Sequence, residues 1–385
     1  MHLAPTEGQL RLRAELREYF RDVMPDGVPE SASDQRELLR RIGADGLLGL
    51  GWPVEYGGQG RGPDEQFVFF DEAYRAGAPV SMVTLNTVGP TLMKYGTQEQ
   101  KNYFLPRILR GDLVFAIGYS EPEAGTDLAS LRTRAVRDGG DWVIDGQKIF
   151  TSNAQNADWI WLACRTDPDA PKHKGISIVL VPTDAAGFAW TPIETVGGLT
   201  TTATYYDSLR VPAGHLVGPE HGGWGLITNQ LNHERVALAA IGMQAEDFYG
   251  TALAHARTPD PDTGERPADR PWVQSRLAEA YARLAAVRLL NWRLVQDVCG
   301  GTLAPGDASG VKFLGTESTV EVYRMCQEVV GEAALLRGPG PDSFAGGELE
   351  RMNRAAQINT FGGGVSEVQR EIVAMMRLGM KGRQR

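Results

Sequence analysis

The chain has 385 residues, 42% hydrophobic and 23% charged, with a net charge of −9 at neutral pH. That is enough chain for two or three packed domains, and its acidic balance without a basic cluster argues against a nucleic-acid or membrane-surface partner. Three widely spaced cysteines, Cys164, Cys299 and Cys326, make neither a disulfide framework nor a zinc pattern and read as small core residues.

The opening MHLAPTEGQLRLR lacks the apolar run of a signal peptide, and no stretch reaches membrane-spanning length. The expected location is therefore cytoplasmic, with no membrane insertion. Residues 1–112 read as an α-helical N-terminal domain. Thr6 precedes Glu7 and LRLRAELREYFRDVM as the N-cap of an amphipathic helix, and SDQRELLRRIGADGL gives a second. GLGWPVEYGGQGRGP is too rich in Gly and Pro to be regular. DEQFVFFDEAYRAGA and TLMKYGTQEQKNYFLPRILRG add further helices, with Pro106 and Gly111 as breaks.

The texture changes near Leu113. FAIGYSEPEAGTD, DWIWLACRTD, GISIVLVPTD and TYYDSLRVPAG set β-branched and aromatic residues between turn dipeptides, so residues 113–218 read as a compact antiparallel β domain. Residues 219–385 return to helix, with segments expected at 224–256, 270–300, 306–336 and 347–381. These should pack as an antiparallel bundle whose flat faces favour oligomerisation. The fold class is thus α+β multidomain.

Three stretches carry chemistry. In Tyr119–Asp127, Pro122 and Gly125 force an open backbone that presents the Ser120 and Thr126 hydroxyls, suited to the heteroatom edge of a flat ring. A plain hairpin connection explains the same residues equally well. Downstream, Asp145-Gly146 reads as a hairpin turn, after which a period-two strand puts Phe150 and Ser152 on one face. An aromatic ring with a hydroxyl two residues on suits a flavin, although such strands are commonly just core. Finally, in ITNQLNHERVALAAIGM the residues Ile227, Leu231, Leu238 and Ile241 mark one helix face, and Glu234 falls on it. Burial raises a carboxyl pKa towards neutrality, as a general base requires; an ion pair with a neighbouring Arg is the plainer alternative. Glu121, Glu123 and Asp127 read as loop anchors, and His215, His221 and His233 are not spaced as metal ligands, so no metal is expected.

Taken together, YSEPEAGTDLASLRT, VIDGQKIFTSNA, LNHERVALA and FGGGVSEVQREIVA, in this order, resemble the acyl-CoA dehydrogenase family over nearly the whole chain. The resemblance implies an α-helical N-terminal domain, a central β-barrel, a C-terminal four-helix bundle and bound FAD. The implied reaction is α,β-desaturation of an acyl-CoA: a carboxylate removes the α-proton while the β-hydride goes to flavin N5. Position by position, Ile117, Tyr119 and Ser120 match isoalloxazine contacts, with Gly125 and Thr126 beside them. Phe150 and Ser152 match the residues that cover the flavin and reach N5. Val365, Ser366 and Glu367 match the turn that meets the FAD ribose and pyrophosphate.

Two departures from the common pattern carry information. Many members hold the catalytic Glu in the terminal loop, where the matching residue here is Gly363; other branches hold it on the helix after the β domain, where the match is Glu234. Arg235 beside it is read as steadying the site. The family's homotetramers also carry an Arg-x-x-Phe-Gly motif for a neighbour's FAD pyrophosphate, whereas this chain reads ARTPDPDTGERPADRPW. A paralogous acyl-CoA dehydrogenase subunit is then needed to supply that cation. The pattern is similar to the Glu-bearing subunit of paired actinobacterial enzymes of steroid side-chain degradation. Those enzymes form α2β2 heterotetramers and desaturate a pregnene-carboxyl-CoA. On that likeness the substrate is a steroid-CoA and the electron acceptor an electron-transferring flavoprotein. Gly362, Gly363 and Gly364 would widen the pocket for the ring system, although loop glycines equally serve backbone geometry. A branched-chain or fatty acyl-CoA dehydrogenase, an acyl-CoA oxidase and a catalytically silent partner subunit remain as rival readings.

Overall fold

A computed structural model describes residues 4–25, 27–230 and 242–381; the expected base Glu234 and supporting Arg235 lie outside the described residues. The chain divides into two compact units. One holds Arg13–Thr195 and the described residues from 200 to 230. The other holds the described residues up to Leu12, Val196–Leu199 and residues 242–381.

Helix α1 (Glu7–Val23) begins as expected. Thr6 Oγ1 accepts from the Gln9 N–H at 3.2 Å, and Gln9 Oε1 accepts from the Thr6 N–H at 2.8 Å, a reciprocal cap. Next come α2 (Ala32–Ala44), α3 (Pro63–Ala76), α4 (Gly89–Tyr95) and α5 (Gln98–Leu109). Charge ties α1 to α3: Asp71 and Glu72, both buried, meet Arg13, Arg17 and Arg75. Pro106 does not break a helix. It sits inside α5 on the exposed side, and the helix runs on to Leu109.

The same unit contains an eight-stranded sheet. Its strands are β1 (Phe115–Gly118), β2 (Arg134–Asp138), β3 (Asp141–Lys148), β4 (Trp159–Arg165), β5 (Ile176–Pro182), β6 (Phe188–Glu194), β7 (Thr200–Pro212) and β8 (Leu216–Val217). The order is β6-β7-β3-β2-β4-β5-β8, with β1 added on β4. Pairing is antiparallel except that β1 runs parallel to β4, and β2 meets β4 in parallel at Arg134 and Arg165. The short β1 is laid against β4 directly after the N-terminal helices, without a hairpin to reverse it. Trp142, Ile144, Ile160, Leu162, Val179, Leu209 and Val211 form the core beneath.

Two local expectations change. Asp145-Gly146 is not a hairpin turn; it lies inside β3, at a bulge where the register with β7 shifts. A side chain at Gly146 would approach Thr133 Oγ1 to 2.7 Å, and the backbone there has φ +147°. The turn between β2 and β3 is formed at Gly139-Gly140 instead. The strand also stops at Lys148, so Phe150 and Ser152 do not owe their placement to strand alternation.

The second unit contains α6 (Ala245–Arg257), α7 (Pro271–Cys299), α8 (Pro305–Val330), α9 (Glu348–Ala356) and α10 (Ser366–Met376). Helix α8 packs against the other four, and Tyr323, Val322 and Cys326 on it meet Ala280, Leu284 and Leu349. The helices are shorter than the periodicity suggests. A turn at Met243 and Gln244 precedes α6, α8 stops at Gly331 with φ +86°, and α9 and α10 are parted by residues 357–365. Cys164 and Cys326 are core residues, whereas Cys299 is exposed at the end of α7. Among the described residues no helix is long and apolar enough to cross a membrane, and no His/Cys/Asp/Glu group could hold a metal ion.

Candidate functional site

Strand β1 ends at Gly118 and delivers the loop Tyr119–Asp127. Its first corner is a tight turn in which Glu121 and Ala124 exchange backbone hydrogen bonds of 3.0 and 3.1 Å, leaving Pro122 and Glu123 outside. The Glu121 side chain points inward and is 8% exposed. Its carboxylate accepts from the backbone N–H of Arg132 at 2.7 Å, from that of Thr133 at 2.8 Å and from Lys148 Nζ at 2.8 Å. Lys148, fully enclosed at the end of β3, also donates to the Tyr119 carbonyl at 3.0 Å.

The next residue after Lys148 joins the two motifs. Ile149 N–H donates to the Ser120 carbonyl at 2.9 Å, so the segment Phe150–Asn153 leaves β3 alongside the Tyr119–Asp127 loop. Phe150 adopts φ +61° and is 62% exposed, an unfavourable setting for a large aromatic residue on both counts. Strand β7 holds the segment that follows. Thr151 N–H donates to Thr202 O at 2.9 Å, Thr202 Oγ1 donates to Thr151 O at 2.6 Å, and the Ser152 hydroxyl lies 3.3 Å from that of Thr201.

Ile117, Tyr119 and Ser120 are half-buried, and Gly125 and Thr126 are exposed. The Tyr119 hydroxyl accepts from Trp161 Nε1 at 3.2 Å and donates to Gln230 Oε1. Gln230 is 1% exposed, and its Nε2 has no hydrogen-bond partner among the described residues. Among the described residues, nothing beyond its chain neighbours lies within 4 Å of where a Gly125 Cβ would stand, so that face of the loop is open.

The electrostatics follow from burial. For Glu121, burial pushes the carboxyl up, but the Lys148 cation and the Thr133 and Arg132 N–H donors outweigh it and hold the group below its ordinary value. Burial drives the Lys148 ammonium down, opposed by Glu121. The Cys164 thiol nearby is pushed up to about 12, first by burial, which leaves it without thiolate character at neutral pH.

In the other unit, the turn before α10 is built from glycine. Gly363 and Gly364 have φ +67° and +102°, and Val365 caps the helix without a side-chain hydrogen bond. Buried Lys312, on α8, donates to the Gly364 carbonyl at 2.7 Å, and Ser366 Oγ donates to Thr360 O at 3.2 Å. Glu367 lies exposed in the first turn of α10, where a carboxylate suits the helix dipole.

Profiles of the acyl-CoA dehydrogenase N-terminal, middle and C-terminal domains match residues 6–112, 116–209 and 221–378. The chain belongs to the acyl-CoA dehydrogenase family. It is accordingly an oxidoreductase acting on the CH–CH group of an acyl-CoA, and its three-domain fold is that of the family. Acyl-CoA dehydrogenase FadE26 of Mycobacterium tuberculosis is 49% identical over 400 residues, covering 99% of each chain. A solved structure described as the Tcur3481-Tcur3483 steroid ACAD is 52% identical with a TM-score of 0.93, covering 99% of this chain and 100% of that one. The ChsE4-ChsE5 complex from Mycobacterium tuberculosis contains a chain 49% identical with a TM-score of 0.92, at the same coverage.

In this acyl-CoA dehydrogenase, Tyr119, Ser120, Phe150 and Ser152 lie on two segments joined side by side. Val365, Glu367 and the three glycines belong to the other unit. Glu121 is a loop anchor, as its sequence setting suggests, and Glu123 and Asp127 make exposed pairs with Arg132 and Lys172. Lys148 and Gln230 escaped the sequence reading. The signal for Lys148 was its parity with Trp142 and Ile144 on the buried face of one strand. Gln230 had a weaker one: it lies three residues after buried Ile227.

Proposed function

We propose that this acyl-CoA dehydrogenase desaturates the side-chain CoA thioester of a steroid, with FAD as cofactor and Glu234 as base, in the cytoplasm. The observation that carries the substrate is the full-length likeness to the structure described as a steroid ACAD. The same likeness, with that to the ChsE4-ChsE5 complex, supports assembly with a paralogous subunit in an α2β2 heterotetramer. The proposed domain limits are 1–112, 113–218 and 219–385.

The residues of the β1–β3 region fit a flavin. An exposed aromatic ring is held in a left-handed backbone, the loop after β1 has an open face at Gly125, and the Ser120 and Thr126 hydroxyls have no partner among the described residues. Tyr119, Ser120, Gly125 and Thr126 would line the ring with Ile117, and Phe150 and Ser152 would cover it. Val365 and Glu367 would take the ribose and pyrophosphate end. When bound, FAD supplies the hydride acceptor. Glu234 removes the α-proton, Arg235 supports the site, and the partner subunit contributes the cation for the pyrophosphate. Gly362–Gly364 leave room for the steroid rings, and an electron-transferring flavoprotein is the acceptor.

Anaerobic titration of the protein with a steroid side-chain CoA thioester, and separately with octanoyl-CoA, tests the reading through loss of oxidised-flavin absorbance. Bleaching by the steroid thioester alone is expected. Bleaching by octanoyl-CoA alone would move the enzyme to fatty acyl substrates, and flavin that responds to neither would favour a silent subunit.

A further inference from the structure

The loop after β1 carries a buried charge pair that serves no step of the proposed reaction. Glu121 and Lys148 are 8% and 1% exposed, and an ion pair so enclosed gains little net stability over an apolar pair of similar volume. What it does make is connections. Through Glu121, the first corner of the loop is tied to the backbone at Arg132 and Thr133, where the chain returns to the sheet before β2. Through Lys148, the Tyr119 carbonyl at the start of the loop is tied to the end of β3. One residue further, Ile149 ties Ser120 to the beginning of the segment that carries Phe150 and Ser152.

Five hydrogen bonds therefore gather where both candidate flavin segments leave the sheet. We propose that Glu121 and Lys148 are positioning residues for the cofactor: their buried pair sets the relative placement of the Ser120 and Phe150 segments. This rests on the reading that those segments hold FAD. The pair is directional. Position 121 must accept from two backbone N–H groups, which only a side-chain oxygen can do, and position 148 must donate to a carbonyl, which a carboxylate cannot. Charge balance alone would permit the two to be exchanged; the hydrogen bonds do not.

The test uses the full-length chain in its native assembly and the double variant Glu121→Gln/Lys148→Met. The double variant removes both charges together, so no unpaired charge is left buried and the sheet retains its fold. The expected result is a flavin-free protein that still unfolds cooperatively, at a lower thermal midpoint because the Tyr119 carbonyl loses its donor. FAD binding should be weakened about tenfold or more, the scale of one lost positioning contact, with a changed visible flavin spectrum. A double variant that binds FAD with the parental affinity and spectrum overturns the inference.

A second measurement on the unaltered protein covers the case in which the variant fails to fold. Adding FAD should slow amide exchange at Arg132 and Thr133, whose N–H groups bond Glu121. Exchange there that ignores FAD, while the cofactor binds, overturns the inference too. The outcome for the flavin reading is separate: Phe150→Ala and Ser120→Ala should each weaken FAD binding. If the parent binds no FAD, or neither of these substitutions matters, the flavin reading falls and takes the positioning role with it.

Discussion

The loop after β1 and the turn before α10 are both proposed to meet the cofactor, and they are held in different ways. The loop is fixed from beneath by side chains. Glu121 and Lys148 bring backbone groups at Tyr119, Arg132 and Thr133 to one buried point, while the loop face itself stays open. The turn is fixed by its own backbone: Gly363 and Gly364 take conformations with positive φ, and one buried cation, Lys312, caps the Gly364 carbonyl. A loop anchored by side chains leaves its outer residues replaceable, because the anchor lies elsewhere. A turn made from glycine places the restriction at the outer positions themselves.

The two regions share one feature, which sets the largest expected effect. Neither offers a carboxylate free to act as a base in the proposed mechanism. Glu121 is committed to three donors, and the glycine turn reads Gly363 where many family members carry the catalytic Glu. Glu234→Gln is therefore expected to lower kcat by about 10²–10⁴-fold while the flavin remains bound, because the shape is kept and only the proton acceptor is lost. Steady-state desaturation with the visible spectrum recorded alongside checks this. Turnover at the parental rate would mean that the base comes from elsewhere.

The contrast predicts a smaller effect, on stability, confined to the turn. An alanine at Gly364 would sit at φ +102° with its Cβ 2.4 Å from Gln369 Nε2, and Gln369 is itself buried. Gly364→Ala should cost about 1–3 kcal/mol from backbone strain. Lys312→Met should cost a similar amount, about 1–3 kcal/mol, because the Gly364 carbonyl loses its donor. Urea unfolding of each variant measures both. If Gly364→Ala unfolds at the parental midpoint, the glycines serve pocket width and not backbone geometry. The steroid-pocket reading of Gly362–Gly364 would then gain what the strain argument loses.

How much of this was legible beforehand depended on the range of the forces involved. The helix starting after Thr6 was readable because its cap is made by residues three apart. The β domain was readable because period-two runs are local. The bulge beside Gly146 was not, since it is a register shift between β3 and β7, strands far apart in sequence, and Asp-Gly between strands looks like a turn. Pro106 looked like a break because a helix-interior proline lacks a donor and crowds the preceding turn, yet the helix runs on to Leu109. For the site, the residue types of the two motifs were visible, but the bonds joining them were not. Glu121 and Lys148 are 27 residues apart and become partners only once β1 and β3 are in place.

The smallest expected effect separates the inside of the loop from its outside. Asp127, at the loop's far end, is paired with Lys172 at 2.9 Å, and both side chains are more than half exposed. The Asp127 carboxyl is held below its ordinary value first by the Ser130 hydroxyl and then by Lys172, so removing the lysine leaves the larger influence in place. Water screens what remains, and exposed pairs of this kind contribute about 0–1 kcal/mol. Lys172→Ala should therefore change stability by less than about 1 kcal/mol and leave FAD affinity within about twofold of the parent. Thermal unfolding and FAD titration on one preparation measure both quantities. A Lys172→Ala protein that lost FAD as readily as the Glu121→Gln/Lys148→Met variant would place the loop's anchor at its surface, and the buried pair would then be only one of several supports.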